Sequence, residues 1–329
     1  MTSPHRPATL DDVARLADVS RSTASRVVAG SGFASPAARD RVLAAVNRLG
    51  YVPNATARAL VRGGGGVRLV VAVSGVTAAV LDDPYVDRVV GAAARACASY
   101  PVGVVLHWLP LHGSAALARI AQDRGVAGVV LVNATEPLLD SIPPGLRGRV
   151  ASIGIGSPTV PSFDVDNASG AGQVVRHLYA AGRRRIAMVT GPRWLSCAGR
   201  AVGAYRRIMR EAGLPVRLVP GDFTAGRGRA AAGELLARWP DTDAVFAVSD
   251  LTALGVIAGL GETGVRVPAD IAVAGFDDIP QAALNTPALT TASHPVGPIA
   301  AAAATAVLHG RPVPPVTSFP SALVRRTSA

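Results

Sequence analysis

A short stretch near the N-terminus concentrates side chains that can contact DNA. Arg21, Ser22, Thr23, Ser25 and Arg26 occur within six residues of one another. Hydroxyl groups bind phosphate oxygens, and a guanidinium group can make paired hydrogen bonds with guanine. Composition alone leaves a second interpretation open, because such a run is equally typical of the solvated face of an ordinary small helical bundle.

Other reactive residues do not form a catalytic pattern. His107 and His112 are five residues apart, which is not the spacing of two metal ligands on one helical face. Cys197 has no positioned histidine in the sequence and is interpreted as an inert thiol. The fragment Gly226-x-Gly228 does not lie between a strand and a helix, as a dinucleotide fingerprint requires. All 33 basic residues are arginines, which excludes lysine chemistry. We therefore expect no catalytic site, no metal and no cofactor.

The composition indicates a folded protein of several domains. A chain of 329 residues with 49% hydrophobic content can bury a sizeable core, and domains hold roughly 100–200 residues each. The net charge is +11, and residues 1–62 contain nine arginines against four aspartates. Two cysteines, Cys97 and Cys197, are too few for a secreted disulfide scaffold. The sequence shows neither an apolar leader nor about 20 consecutive apolar residues, so we expect a cytoplasmic protein with no membrane partner.

Four consecutive glycines at 63–66 mark a domain boundary, because such a run holds neither a helix nor a strand cheaply. Before it, helical periodicity and capping residues predict three short helices. Thr9 with an acidic residue three positions later resembles a capping box, and Ser20 can cap the second helix. Ser35 precedes a proline at the start of the third helix, and Gly50 ends it. The sequence therefore predicts a small helical bundle.

After the glycines, apolar β-branched runs alternate with alanine-rich helical stretches. The predicted strands are Leu69–Val73, Val102–Leu106, Gly128–Val132, Val150–Ile153, Ile186–Val189, Ala244–Val248 and Ile271–Ala274. The predicted helices are Val86–Ala98, Ala168–Ala181, Arg200–Ala212, Arg229–Trp239 and Leu251–Thr263. Continuous apolar strands that alternate with helices are typical of parallel sheets covered on both faces. We expect two similar α/β lobes with a ligand crevice at the carboxyl ends of the strands.

Specific motifs connect the helical bundle to a known family. They are TLDDVA at 9–14, VS at 19–20, TASRV at 23–27, GYVPN at 50–54 and ARAL at 57–60. These motifs closely resemble the headpiece of the LacI/GalR family of bacterial transcriptional regulators. The resemblance implies a helix-turn-helix whose second helix enters the major groove of DNA. The family turn usually reads Ala-Gly-Val-Ser, whereas this chain has Asp18 at the glycine position.

The resemblance also assigns roles to individual headpiece residues. Arg21 and Ser22 match the variable base-reading positions, and Arg26 matches a more constant one. Leu60 matches the leucine of a hinge helix that inserts into the minor groove at the operator centre. The hinge at 54–61 is too short to stay helical alone in water, so it should fold only when two copies pack on DNA. The implied DNA contacts are Thr9, Ser20, Arg21, Ser22, Thr23, Ser25, Arg26, Tyr51, Asn54, Ala57 and Leu60.

The family resemblance extends into the core, where it implies an effector crevice. The implied contacts are Tyr85, Ser196, Arg200, Phe223, Ser249, Asp250 and Asp277. Carboxylates, a guanidinium and an aromatic wall would suit a polyol. Structural roles stay open: Asp250 would also cap a helix, Asp277 would also fix a turn, and Arg200 would also pair with an acid. Ser249 replaces a common asparagine and Gly154 a common aspartate, so the ligand need not be a simple hexose.

The resemblance predicts an all-α helix-turn-helix headpiece followed by an α/β periplasmic-binding-protein-like core with parallel, doubly wound sheets. The expected domains are the headpiece at 1–62 with its hinge helix at 54–61, the linker at 63–66, and the core at 67–329. Within the core we expect lobe one at 67–162 and 292–329, and lobe two at 163–291.

The function implied by the resemblance is that of a DNA-binding transcriptional regulator, specifically a repressor. A small-molecule effector, a sugar or related polyol, would control binding of a homodimer to a palindromic operator in double-stranded DNA. The expected localisation is cytoplasmic and nucleoid-associated. A solute-binding receptor is disfavoured by the headpiece and by the missing signal peptide. A sugar-processing enzyme is disfavoured by the missing acid/base pair.

Overall fold

The computed structural model describes residues 8–29, 34–51, 67–310 and 313–329. The predicted hinge helix at 54–61 and the glycine linker at 63–66 lie outside these residues. Among the helices that are described, none combines the length and the apolar character needed to cross a bilayer.

The N-terminal part contains the three predicted helices, α1 (Leu10–Leu16), α2 (Arg21–Ala29) and α3 (Pro36–Leu49). Thr9 and Asp12 form the capping box of α1. Gly50 ends α3 in the left-handed conformation, with φ 59°. The apolar stripes of the three helices pack together. The buried residues of this bundle are Val13, Ala14, Ala17, Ala24, Val27, Val42 and Ala45.

The rest of the chain alternates strands and helices. The strands are β1 (Arg68–Ser74), β2 (Gly103–Leu109), β3 (Val126–Val132), β4 (Val150–Ile153), β5 (Ser162–Val165), β6 (Ile186–Val189), β7 (Arg217–Val219), β8 (Ala244–Ala247), β9 (Ala272–Asp277), β10 (Thr290–Ser293), β11 (Val316–Phe319) and β12 (Leu323–Val324). The α-helices are α4 (Pro84–Cys97), α5 (Ser114–Gln122), α6 (Glu136–Asp140), α7 (Asn167–Ala180), α8 (Ser196–Glu211), α9 (Ala225–Arg238), α10 (Asp250–Glu262), α11 (Pro280–Leu284) and α12 (Val296–His309).

The strands form two six-stranded sheets, which define two lobes. The order in lobe one is β11-β5-β4-β3-β1-β2, and in lobe two it is β12-β10-β9-β8-β6-β7. Neighbouring strands pair in parallel, except that β10 and β12 are antiparallel. Parallel neighbours require crossover connections, and helices supply them on both faces of each sheet. The predicted fold class, with a helical headpiece and a two-lobed α/β core, is confirmed.

The chain passes between the lobes at three places in the described residues. These places are the step from β5 to α7, the step from β10 to α12, and the step from β11 to β12. The observed strand pairing therefore places the lobe boundaries at other residues than we predicted. Phe163–Val165 belongs to the sheet of lobe one, although we expected it in lobe two. Ala292, Ser293 and Leu323–Val324 belong to the sheet of lobe two, whereas 292–329 was expected in lobe one.

Candidate nucleic-acid interface and effector cleft

Helix α2 presents a polar face to solvent. Ala24 and Val27 are buried against the bundle, whereas Arg21, Ser25 and Arg26 are exposed. The apolar stripe and the polar stripe thus separate as helical periodicity requires. Exposed hydroxyl and guanidinium groups on the second helix of a helix-turn-helix can contact DNA without rearrangement of the core.

The hydroxyl groups at the start of α2 form a local hydrogen-bonded cluster. The Ser20 hydroxyl lies 2.9 Å from that of Ser22 and 2.8 Å from that of Thr23, and the Thr23 amide donates to it at 3.1 Å. Ser20 therefore caps α2, as its position predicts. The guanidinium of Arg21 reaches back to Asp11, with Nε and Oδ1 3.2 Å apart. Both side chains are more than half exposed, so this ion pair can open at little cost when DNA arrives.

In the turn between α1 and α2, a residue other than glycine adopts the left-handed backbone conformation. Asp18 has φ 50°, a conformation that aspartate tolerates better than most residues but less well than glycine. The side chain of Arg41, on α3, donates from Nε to the carbonyl oxygen of Ala17 at 3.0 Å. The third helix therefore supports the turn that sets the angle between the first two.

The other predicted DNA contacts have different placements. Thr9 is half-buried and its hydroxyl donates to Asp12 at 2.6 Å within the capping box. Tyr51 is half-buried and packs against the bundle core. Asn54, Ala57 and Leu60 lie outside the described residues, so their DNA contacts stay predictions.

A cleft of about 680 Å³, part of it open to solvent, lies where the chain passes between the two lobes. Lobe one, lobe two and the crossover at His294 all contribute to its walls. The lining residues that bear on recognition are Asp83, Tyr85, Asn133, Asp164, Asn167, Ser196, Cys197, Phe223, Ser249, Phe276, Asp277 and His294. Tyr85, Ser196, Phe223, Ser249 and Asp277 thus occur together, as the crevice interpretation expects.

Three carboxyl groups face this cleft. Asp83 comes from the start of α4, Asp164 from β5 and Asp277 from the end of β9. Burial raises the pKa of all three above the ordinary value of 3.8, and the effect is largest for Asp277. Buried carboxyl groups bind hydrogen-bond donors strongly, because little water competes for them.

His294 and Asp277 form a buried pair at the floor of the cleft. His294 Nδ1 lies 3.0 Å from Asp277 Oδ1. The ring of Tyr85 lies 5.0 Å from the imidazole, centroid to centroid, and Phe276 approaches it edge-on at 6.1 Å. Burial, which outweighs the opposing effect of Asp164, lowers the pKa of His294 to about 4. The imidazole is therefore neutral at neutral pH.

Arg88, on α4 of lobe one, fixes the backbone beneath this pair. Its Nη1 donates to the carbonyl oxygen of Asp277 at 2.8 Å, and its Nη2 donates to that of His294 at 3.1 Å. Asp277 also has φ 113°, which is unfavourable for a residue with a side chain. The guanidinium therefore holds a strained segment of lobe two against lobe one.

Arg200 does not line the cleft. Its Nη2 pairs with Oδ2 of Asp164, which itself faces the ligand space. The ion pair joins α8 of lobe two to β5 of lobe one. The interpretation of Arg200 as a partner of an acid therefore describes its contact in the structure, and a ligand contact through Arg200 stays a prediction.

Asp250 is placed differently from the other predicted effector contacts. Its side chain is fully buried and does not line the cleft. Oδ2 accepts the amide of Ile279 at 2.9 Å, and Oδ1 accepts the hydroxyl of Thr291 at 2.5 Å. The preceding residue, Ser249, caps α10 by accepting the amide of Thr252 and does line the cleft. Asp250 therefore joins three elements of lobe two instead of facing a ligand.

Some cleft residues were not identified from the sequence. Asp164 lies on a strand of four residues that periodicity does not reveal, and His294 lies in a crossover. Gly154, which replaces a common family aspartate, donates its amide to the carbonyl of Phe163 at 3.1 Å. The carboxylate of the next residue, Asp164, thus enters the same cleft from the neighbouring strand. The Asp-Val-Asp-Asn run at 164–167 was the available signal, since it places three polar side chains directly after Phe163.

Cys197 lines the cleft, and burial raises the pKa of its thiol to about 12, so it is a poor nucleophile. Within the described ranges, no group of three or more metal-ligating side chains is suitably arranged.

Two family models match this chain. The model for bacterial regulatory proteins of the lacI family matches residues 9–54, and the model for a periplasmic binding protein-like domain matches residues 175–329. The regulator CelR of Thermobifida fusca is 37% identical over 311 residues, which cover 88% of each chain. The regulator GalR of Escherichia coli is 31% identical and covers 98% of this chain and 95% of its own.

Solved structures show the same relationship. A complex of the regulator CelR with cellobiose has a TM-score of 0.72 and 31% identity, and the alignment covers 98% of this chain and 100% of that one. The lac repressor dimer bound to operator has a TM-score of 0.71 with 24% identity over 98% and 99% of the two chains. The second likeness concerns the fold alone.

These matches and the two sites define a class of protein with a DNA-binding headpiece and a ligand-binding core. The chain belongs to the LacI family of bacterial regulatory proteins. It is a DNA-binding transcriptional regulator with an effector-binding core, and its relatives are regulators, not enzymes.

Proposed function

We propose that this protein is a transcriptional repressor that binds a palindromic operator as a homodimer and is controlled by a sugar or related polyol. The observation that carries the effector assignment is the cleft at the lobe crossovers. It combines three carboxyl groups, side-chain amides and hydroxyls with the aromatic walls of Tyr85, Phe223 and Phe276. A polyol offers hydroxyl donors to the carboxylates and apolar C–H faces to the aromatic rings.

The effector proposal is tested by titration calorimetry of the full chain with monosaccharides, disaccharides and nucleobases, followed by gel shifts with operator DNA. We expect a saccharide to bind and to change operator affinity. Asp277→Asn should weaken saccharide binding, whereas Asp270→Asn, which changes an exposed carboxylate paired with Arg266, should not. Binding of a nucleobase, with no saccharide bound, would contradict the proposed effector class.

Sequence reading by α2 is tested by a binding selection on random double-stranded DNA. Arg21→Ala and Ser22→Ala should each change the preferred base at particular half-site positions, at a cost of about 1–3 kcal/mol where a paired contact is lost. Arg48→Ala removes an exposed guanidinium from α3 and serves as the charge-matched control. A uniform loss across all sequences would mean that Arg21 and Ser22 contact only phosphates.

An apolar surface on lobe two supports the homodimer. Leu254, Ile257, Ala258 and Gly261 recur on one side of α10 and line a groove with Val265. Leu254, Ile257 and Val265 pack against the lobe core with one side and stay partly exposed on the other, so the stripe is suited to a second copy of the chain. Ile257→Glu should shift the sedimentation of the full chain from dimer to monomer, whereas Val316→Glu, at an exposed position of lobe one, should not. An unchanged dimer in Ile257→Glu would place the interface elsewhere.

A further inference from the structure

The strands of lobe one begin at an edge of the sheet that faces away from the effector cleft. Strands β4, β3 and β1 are neighbours and start side by side there, whereas Asn133, which lines the cleft, follows the other end of β3. The chain enters the core at this edge, because Val67 directly precedes β1. The start of β1 at Arg68 and the turns at 123–125 and 143–149 form this entry edge. Together they contain four arginines and one aspartate.

Two of these arginines hold the entry edge together. Nη2 of Arg68 pairs with Oδ2 of Asp123 and so joins the start of β1 to the turn before β3. Arg149 donates from Nη1 to the carbonyl oxygen of Val126 at 2.8 Å and from Nη2 to that of Gly145 at 2.5 Å. The neighbouring turns are therefore fixed relative to one another.

The other two arginines, Arg124 and Arg147, point their charge to solvent. Both are exposed, and no acidic side chain of the described residues pairs with either. Arg266, in the turn before β9 at the far end of lobe two, is also exposed, but its Nη2 lies 2.7 Å from Oδ1 of Asp270. A carboxylate next to an arginine offsets its charge, so the charges of Arg124 and Arg147 are the ones available to a partner from outside.

The headpiece lies close to the same edge. A Cβ atom placed on Gly50, which ends α3, would lie 3.9 Å from Cβ of Pro144, in the turn that contains Arg147. Residues 1–62 contain nine arginines against four aspartates, so two positively charged surfaces are neighbours. Their mutual repulsion is relieved by a polyanion that contacts both. DNA is the polyanion that the headpiece of this family binds.

We propose that the entry edge is a second DNA-binding surface, in which Arg124 and Arg147 contact phosphate groups of the DNA that the headpiece binds. A guanidinium group forms paired hydrogen bonds with phosphate oxygens, and such contacts carry no sequence information by themselves. The surface strengthens the binding of different sequences to a similar extent and leaves the choice of sequence to α2. The core thereby takes a direct part in DNA binding, separate from its control by an effector.

The salt dependence of DNA binding tests this proposal. Fluorescence anisotropy of the full chain, with a DNA sequence that it selects, gives the slope of log affinity against log salt concentration. Combined Arg124→Ala and Arg147→Ala substitutions should make the slope shallower by about 1 or more and weaken binding at low salt by about tenfold or more. Combined Arg206→Ala and Arg210→Ala substitutions remove the same charge from exposed positions of α8 in lobe two and should leave the slope unchanged.

Equal slopes in the two double variants would overturn the proposal, because only the net charge of the protein would then matter. If the unmodified chain bound no DNA sequence, its function as a DNA-binding regulator would fail together with this inference.

A second measurement distinguishes phosphate contacts from an indirect effect on the headpiece. In a binding selection, the Arg124→Ala and Arg147→Ala double variant should prefer the same DNA sequence as the unmodified protein. Ethylation interference should show phosphates that are required by the unmodified protein and not by this variant. A changed base preference, or an unchanged set of required phosphates, would contradict direct contact at the entry edge.

Conservative variants separate charge from structure. Arg124→Lys with Arg147→Lys keeps both charges and should retain most of the salt slope. The alanine variant should melt at the same temperature as the unmodified protein, because both side chains are exposed. If it melts lower, Arg124→Gln with Arg147→Gln, which keeps long polar side chains without charge, replaces it with the same expected loss of slope. Equal slopes in the lysine and glutamine variants would overturn the proposal.

Discussion

The headpiece and the effector cleft place their polar side chains under opposite conditions. In the headpiece the polar groups of α2 are largely exposed, and their partners are close in sequence: the hydrogen bonds span two to four residues and the Arg21–Asp11 ion pair spans ten. In the cleft the polar groups are largely buried, and Arg88 reaches across 206 residues to the His294 carbonyl. Exposed groups retain water until DNA replaces it, whereas buried groups must be satisfied by the fold or by a ligand.

Because of this difference, substitutions in the two regions should affect stability and function to different extents. A surface polar group can change for a new DNA sequence at little cost to the fold. A buried polar group participates in folding as well as binding, so its substitution changes both. The comparison therefore predicts large effects on stability for core polar residues and small ones for α2.

The largest effect is expected at Asp250. Asp250→Ala should lower the free energy of unfolding of the core by about 3 kcal/mol, because it leaves the amide of Ile279 without an acceptor and the hydroxyl of Thr291 with only the Ala292 carbonyl oxygen, 3.3 Å away. Asp11→Ala, which breaks the exposed pair with Arg21, should cost no more than about 0.5 kcal/mol. Calorimetric unfolding of the full chain measures both. Similar losses at the two positions would remove the distinction between the regions.

The buried pair Asp277 and His294 should give opposite pH dependences when each residue is tested alone. Burial raises the pKa of Asp277, so its stabilising contribution is present at low pH and is lost as the pH rises through the raised value. Burial lowers the pKa of His294 to about 4, so its contribution is lost as the pH falls below 6.5.

As the pH falls from 7, the stability of His294→Gln relative to the unmodified protein should therefore rise, and the stability of Asp277→Asn relative to the unmodified protein should fall. The melting temperature of the core, without effector, is the measurement. If the melting temperatures of both variants, relative to that of the unmodified protein, changed with pH in the same direction, the shifted pKa values assigned to the pair would be wrong.

A smaller effect is expected at the start of α1. Thr9→Ala removes the hydroxyl that accepts the Asp12 amide in the capping box, at a cost of about 1 kcal/mol. Amide hydrogen exchange of α1 in the full chain reports this opening free energy. Exchange in lobe two serves as the internal reference and should be unaffected; a change there would mean that the two regions are coupled.

The smallest effect is expected at the turn before α2. Asp18→Gly should stabilise the headpiece by about 0.5–1 kcal/mol, because glycine adopts φ 50° without strain. Asp18→Asn removes the same charge but keeps a side chain, so its stability should change little. Both variants should bind operator DNA more tightly, since a negative charge near phosphate is lost. Hydrogen exchange measures the change in headpiece stability, and gel shifts measure the change in operator affinity.

Much of the fold was predictable from local patterns. The ends of the headpiece helices are determined by residues within a few positions of them: the caps Thr9, Ser20 and Ser35, and the left-handed Gly50. Continuous apolar runs indicated the central strands, as the predicted strand Gly128–Val132 did for β3 (Val126–Val132). Two short strands near the crossovers were missed: β5 has four residues, two of them polar, and β12 has only two residues, too few to show a period.

The sequence by itself determined the helix-turn-helix, the alternation of strands and helices, and the family, because capping, periodicity and short motifs act over neighbouring residues. Only the tertiary structure decided which polar side chains meet in the cleft. Asp250 and Asp277 have similar sequence contexts, yet one is enclosed by Ile279 and Thr291 and the other faces the ligand space beside His294. That difference arises where separate strands end and cross between lobes, so it depends on residues far apart in the chain that local sequence does not place.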